Sequence, residues 1–251
     1  MKGLNAFLGF GFVWVLLNKS SYIVDILISV KRTFVNEGQW EPETARGASD
    51  DIGNYYPQTG SNRVYYGTNY GVTAAFLVEN YNILQIPLID KYVIKNLTAD
   101  QAREIFTKVV GNRMRYSEYK NQYVADFIFD WCVQRPSTCI EFMTVYIFGW
   151  SKNEFIIERD RATFSDRLLN SINGSDPEAL YNSLKFWRLY HLTYTNVYQS
   201  FRQGVYNRIV RYDDYPRTAY VQDMINKAYA KAFQGIGSIK KPNKIPLRIN
   251  I

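Results

Sequence analysis

The chain has 251 residues, 47% of them hydrophobic and 21% charged, which excludes general disorder and leaves enough length to bury a substantial core. Two cysteines exclude a disulfide-dense scaffold and a single histidine excludes a multi-histidine metal centre, so no metal or cofactor is expected and chemistry falls to carboxylates, hydroxyls and amides. The net charge of +7 is concentrated at one end: residues 1–200 hold 20 Lys+Arg against 20 Asp+Glu, whereas residues 201–251 hold 10 against 3. Such a basic end suits an anionic surface, or serves simply as a solvated face; with no recognition motif beside it, no specific nucleic acid is expected.

The elements follow in chain order. Lys2, a mostly apolar run from Leu4 to Leu17 and then Asn18-Lys19 have the layout of a secretory signal or a membrane anchor. The run is short for a span, which needs roughly 20 residues. The reading taken is an anchor or a helix buried in an assembly over residues 1–19, with a core helix as the plain alternative. Ser20-Ser21 can cap a helix that places Ile23, Ile26, Leu27, Val30 and Phe34 on one face and stops near Glu37-Gly38. Residues 38–66 are rich in Gly, Asn, Ser, Pro and Tyr and read as a long loop with a short hairpin near the tyrosines. Thr73 opens a helix to about Asn82, and Thr98-Ala99-Asp100-Gln101 is a capping box for a helix with Ala102, Ile105, Phe106 and Val109 inward. Further helices are expected over 119–133, 138–149, 154–172, 177–209 and 217–233, before an extended basic tail.

Two places have chemistry in them. Glu37 falls at the expected C-terminal end of the first helix, where unpaired carbonyls disfavour an ionised carboxylate, and Phe34 and Trp40 would desolvate it further. Both effects raise a carboxyl pKa, as a general acid requires, although a helix-end Glu is also commonly just solvated. The second place is Tyr66-Gly67-Thr68-Asn69-Tyr70-Gly71-Val72-Thr73, in which two glycines bracket polar side chains directly before a helix. On its own this is equally a hairpin turn with an N-cap. Cys132 and Cys139 would lie two turns apart on an unbroken helix, about 10 Å by rise and too far to bond, unless Pro136 breaks it. His191 reads as structural and Asp130 as a core acid bonded to a helix end or an arginine.

Together these segments resemble glycoside hydrolase family 108, the N-acetylmuramidases of phage-type lysins. Glu37-Gly38-Gln39-Trp40 resembles the family's Glu-Gly-Gly-aromatic motif, with Gln39 in place of the second glycine, and Thr68-Asn69-Tyr70-Gly71-Val72-Thr73 resembles its Thr-Asn-Tyr-Gly-Ile-Thr stretch. Leu97–Phe106, Phe129-Asp130, Arg188-Leu189-Tyr190 and Phe201–Ile209 are similar to its later segments, in the family's order. The resemblance implies a mainly α, lysozyme-like fold whose active-site cleft is flanked by a long loop or short hairpin. It implies a muramidase-like part over 20–118, a helical peptidoglycan-binding-like part over 119–212 and a basic end over 213–251. It implies Glu37 as the acid that protonates the MurNAc–GlcNAc bond, Thr68, Asn69 and Tyr70 in the groove, Thr73 holding the turn, and Trp40 and Tyr66 as sugar-stacking rings. Glu41, Glu43, Asp50 and Asp51 are all open as a second carboxylate. Bacterial peptidoglycan is then the substrate, and a phage particle or the bacterial cell envelope the setting, with membrane or virion proteins met through the N-terminal segment. The competing reading is a structural assembly protein that keeps the fold without the activity; a wall-binding module is a third.

Overall fold

The computed structural model describes residues 24–34, 42–44, 52–84, 91–195 and 202–234. The hydrophobic segment over 1–19, Glu37, Trp40, Glu41, Asp50, Asp51 and the tail from Gly235 lie outside them. Mainly α architecture is what these residues build. Helix α1 spans Ile26–Phe34, and a 3-10 turn at Ile52–Asn54 leads into two small antiparallel hairpins, β1 (Tyr55–Tyr56) with β2 (Val64–Tyr65) and β3 (Thr68–Asn69) with β4 (Val72–Thr73). The expected hairpin among the tyrosines is therefore present. Helices α2 (Ala74–Glu79), α3 (Tyr81–Leu84), α4 (Lys91–Lys95) and α5 (Ala99–Phe106) follow, and α5 continues through a π-helical turn, Thr107–Gly111. The rest is α6 (Gln122–Gln134), α7 (Pro136–Glu141) running on into a π-helical segment, Phe142–Ile147, then α8 (Lys152–Arg159), α9 (Asp166–Gly174), α10 (Pro177–Tyr194), α11 (Arg202–Arg211) and α12 (Ala219–Phe233).

Local chemistry explains most of these boundaries. Thr98 and Gln101 close a reciprocal capping box on α5, and Ala102, Ile105, Phe106 and Val109 are all buried, as the spacing predicts. Pro136 sits in the first turn of α7, where its missing N–H costs nothing, and so makes a corner after α6. Cys132 and Cys139, on either side of that corner, are buried free thiols. His191 packs edge-on to Phe142, and desolvation followed by the charge on Arg135 depresses its pKa to about 4, so it is neutral in the core.

Several sequence expectations need correcting. The helix after Thr73 ends at Glu79, because the Asn80 side chain donates to the Phe76 carbonyl and terminates it. The stretch 154–172 is two helices. Phe164 is buried and donates its N–H to the Arg113 carbonyl, and Ser165 then caps a new helix through Leu168 N. The stretch 177–209 is likewise divided, with α10 ending at Tyr194 and α11 starting at Arg202. The inward face of α1 is rotated from the apolar stripe. Ser29, Val30 and Thr33 are fully buried, whereas Leu27 is 53% exposed. The cause is polar: Ser29 bonds Asp126 and Tyr116, and Arg32 Nη1 donates to Asp126 at 2.9 Å and Nη2 to Asp214 at 2.7 Å.

One buried cluster runs from Val24 to Ala228 and takes in side chains from both sides of residue 118. Its polar centre is Asp130 on α6, fully buried and paired with Arg188 of α10 at 2.8 Å and Arg208 of α11 at 2.8 Å. Arg208 Nε also donates to both carboxylate oxygens at 2.9 Å, and Arg188 Nη2 donates to Gln134 at 2.6 Å. The rings of Phe127 and Trp131 lie 5.4 and 5.8 Å from the Arg188 guanidinium. Burial alone would raise the Asp130 carboxyl pKa; Arg208 and Arg188 outweigh it and hold the value below the usual carboxylate range.

Removing Asp130 strands two guanidiniums in the core. Asp130→Ala is expected to destabilise the protein by about 3–5 kcal/mol, read from urea unfolding. The unfolded state, with the ordinary pKa near 3.9, binds the proton first as pH falls, so the contribution of Asp130 is complete above about pH 4 and is lost below it. In Asp130→Asn the decline of stability between about pH 4 and pH 2 should be shallower than in wild type.

Candidate functional site

The hairpin β3–β4 is a two-residue turn that the sequence specifies directly. Thr68 faces Thr73 and Asn69 faces Val72, so Tyr70 and Gly71 are the turn residues, with φ of 51° and 76°. Positive φ at both positions is the mirror-image turn whose twist matches the flanking strands. Gly71 adopts it without strain, whereas Tyr70 is held there by the packing of its ring on the core. Gly67, at φ 75°, lets the chain leave β2 and turn into β3.

Asn69 is 4% exposed, and its amide nitrogen donates to the carbonyls of Ile94, Lys95 and Leu97 at 3.0, 3.2 and 3.2 Å. Those carbonyls end α4 and precede the cap of α5, so the amide serves the orphan acceptors of a helix end. Thr68 Oγ1 donates to Asn54 Oδ1 at 2.6 Å, while the Asn54 carbonyl accepts from Tyr66 N and Gly67 N at 2.8 and 3.0 Å. Asn54, which the sequence reading overlooked, thus ties the two hairpins together. Thr73 caps α2 by accepting from Phe76 N at 3.1 Å. Tyr66 is partly buried against the core. In the neighbouring hairpin Tyr55 and Tyr65 meet edge to face at 5.4 Å, and Tyr55 Oη donates to Glu43 at 2.8 Å. Glu43 is the one described member of the four loop acids.

Beside these hairpins lies a cleft of about 770 Å³. Gln58, Thr73, the α2 residues Phe76 and Glu79 and the Asn80 that ends α2 line it, as do the stretch from Arg159 at the end of α8 to Phe164 and the end of α6 at Cys132–Gln134. Of the residues singled out in the sequence, Thr73 is on the lining, whereas Tyr66, Thr68, Asn69 and Tyr70 are not among the lining residues. Helix α1 runs alongside α6 in parallel register, with Asp25 N accepted by Gln122 at 2.7 Å and Ser29 and Arg32 both meeting Asp126. Its C-terminal end therefore points toward the end of α6 that lines the cleft. Glu37 itself, three positions beyond Phe34, lies outside the described residues, as does Trp40.

The sequence reading also missed Asp126, Arg32 and Asp214. Asp126 had a signal, since two acids four residues apart in the otherwise apolar run Tyr123–Val133 must share a buried face. Arg32 and Asp214 had none, because their partners are distant in the chain. Among the described residues no group of three or more His, Cys, Asp or Glu is placed to hold a metal.

The model of the glycosyl hydrolase 108 family matches residues 30–135. The matched segment is similar to that family and spans less than half of the chain. It takes in Glu37, both hairpins, the capping box of α5 and Asp130. The arginines that pair with Asp130 lie beyond the matched segment, so the family part is pinned to the helices that follow it. In fold, the chain is similar to the solved structure of Brucella abortus SagA, with a TM-score of 0.54 at 17% identity over 81% of this chain and 95% of that one. No curated protein matches the sequence.

Asn69→Ala removes a buried donor and leaves three carbonyls without it. The expected loss is about 1–3 kcal/mol in urea unfolding, with the hairpin as the part that loosens first in amide hydrogen exchange.

Proposed function

We propose that the protein is a peptidoglycan N-acetylmuramidase with Glu37 as its general acid. The Glu37 carboxyl gives its proton to the oxygen bridging N-acetylmuramic acid and N-acetylglucosamine as the bond from that oxygen to the anomeric carbon breaks. Water, or the substrate's own acetamido group followed by water, completes the anomeric centre and leaves a new reducing end. The observation behind this reading is the family match over residues 30–135, which contains Glu37 on a lysozyme-like helical fold. A cleft against α6, lined by apolar side chains with charged ones among them, supports it. Thr73 and the hairpin bearing Thr68, Asn69 and Tyr70 then shape the groove, Trp40 offers a ring to the sugars, and Tyr66, packed against the core and off the cleft lining, would reach a sugar only beyond it. The described geometry favours a positioning role for Asn69, whose amide nitrogen is committed to backbone carbonyls.

The cellular setting is proposed from the two ends of the chain. The apolar run Leu4–Leu17 would hold the enzyme at a bacterial membrane or inside a phage particle, and the basic end would meet an anionic surface. Among the described residues no helix is long and apolar enough to cross a membrane, so such anchoring rests on that N-terminal segment.

Digestion of purified peptidoglycan tests the chemistry. Wild type should release reducing ends and Glu37→Gln should lower the rate at least about a hundredfold, with an unchanged circular dichroism spectrum. Wild type that releases none would leave the structural-protein reading in its place. The full chain should float with liposomes of bacterial lipid composition at high salt, where basic-tail binding is screened; recovery in the soluble fraction would remove the membrane anchor.

A further inference from the structure

The walls of the cleft carry four cations against two carboxylates: Lys108, Arg113, Arg159 and Arg161 against Glu79 and Asp160. Two of the cations are already neutralised. Arg159 closes on Asp160 through Nε at 2.7 Å and Nη2 at 3.0 Å, and Lys108 pairs with Glu104 at 2.6 Å. Arg161 makes no ion pair among the described residues, and Arg113 makes none either, although its charge reaches Asp160 and helps hold that carboxyl below its usual range. Arg113 is fixed by one bond, from Nη2 to the Arg159 carbonyl at 2.7 Å, and its buried Nε has no hydrogen-bond acceptor. A buried donor without an acceptor is costly to maintain, and with Nη2 held and Nε enclosed, Nη1 is the donor that Arg113 has left for whatever enters. Arg161 stands exposed on the loop that forms the same wall.

An uncharged sugar backbone would leave both guanidiniums unmatched. A carboxylate would match them well, because its oxygens accept from the guanidinium N–H groups and its charge is opposite. In peptidoglycan the glycan bears stem peptides with free carboxylates. We infer that Arg161 and Arg113 receive the stem-peptide carboxylates of the strand lying in this cleft, so that the enzyme selects peptidoglycan by its charge as well as by its sugars. The inference rests on the cleft being the glycan-binding site of the proposed muramidase. Arg159 and Lys108, being paired, set the local field without contacting the ligand.

The test compares purified sacculi with the same sacculi after their free carboxyls have been converted to amides by carbodiimide and ammonia. Co-sedimentation and reducing-end release are measured for wild type, Arg161→Glu, Arg161→Lys and Arg113→Gln. Wild type should prefer the untreated sacculi about fivefold or more at low salt, and 0.5 M NaCl should shrink that preference. Arg161→Glu should bring the ratio of untreated to amidated close to one, Arg161→Lys should keep most of it, and Arg113→Gln should reduce it. Equal handling of the two sacculi by wild type, or a ratio unchanged in Arg161→Glu, would overturn the inference. If neither substrate yields reducing ends, the muramidase reading fails, while the sedimentation ratio still decides whether these arginines read carboxylates.

Discussion

One buried carboxylate organises this protein. Asp130 sits on a helix that is otherwise apolar and would be an expensive intrusion if it stood alone. It is tolerated because two arginines, from α10 and α11, close on it with several hydrogen bonds. Such an arrangement is not a strong source of net stability, since three charges have been taken out of water. Its effect is specificity: α10 and α11 can dock on α6 in few ways that leave no guanidinium stranded. A second polar knot, Asp126 with Ser29, Arg32 and Tyr116, does the same for α1 one turn earlier on the same helix. Helix α6 thus fixes both the helix that leads to Glu37 and the helices of the C-terminal half.

The cleft inherits its geometry from this arrangement. Its lining draws on the hairpin strand β4, α2, the π-helical turn after α5, the end of α6 and the loop after α8. Strand β4 joins α2 by the local cap at Thr73, but no local sequence rule brings the other parts to them. The hairpin is held from behind by Asn69, whose amide nitrogen donates to backbone carbonyls, and by Asn54, which accepts from the Thr68 hydroxyl and, through its own carbonyl, from Tyr66 and Gly67 N–H. Polar residues of this motif are here fasteners between backbone segments, and they hold the hairpin rigid beside the cleft.

The parts legible in the sequence were those governed by short-range rules. The capping box at Thr98, the cap at Thr73, the hairpin among the tyrosines and the corner at Pro136 each follow from a few neighbouring residues. The errors have a common source. The inward face of α1 was assigned from its apolar stripe, but a distant aspartate drew Ser29 and Arg32 inward instead. The stretch 154–172 was read as one helix, but Phe164 is drawn into the core and breaks it, with Arg113 accepting its N–H from far away in the chain.

By itself, then, the sequence determined a mainly helical chain, its caps and turns, an ordered set of motifs pointing to a glycoside hydrolase, and the acid at position 37 as the group to test. Those are properties of windows a few residues long, or of their order along the chain. The tertiary structure alone decided that Asp130 would be shared by Arg188 and Arg208, that Asn69 would face inward, and that Arg113 and Arg161 would stand on the walls of one cleft. The physical reason is that charge pairing and burial depend on which side chains meet in space, and the side chains that meet here are separated by tens of residues that no local rule connects.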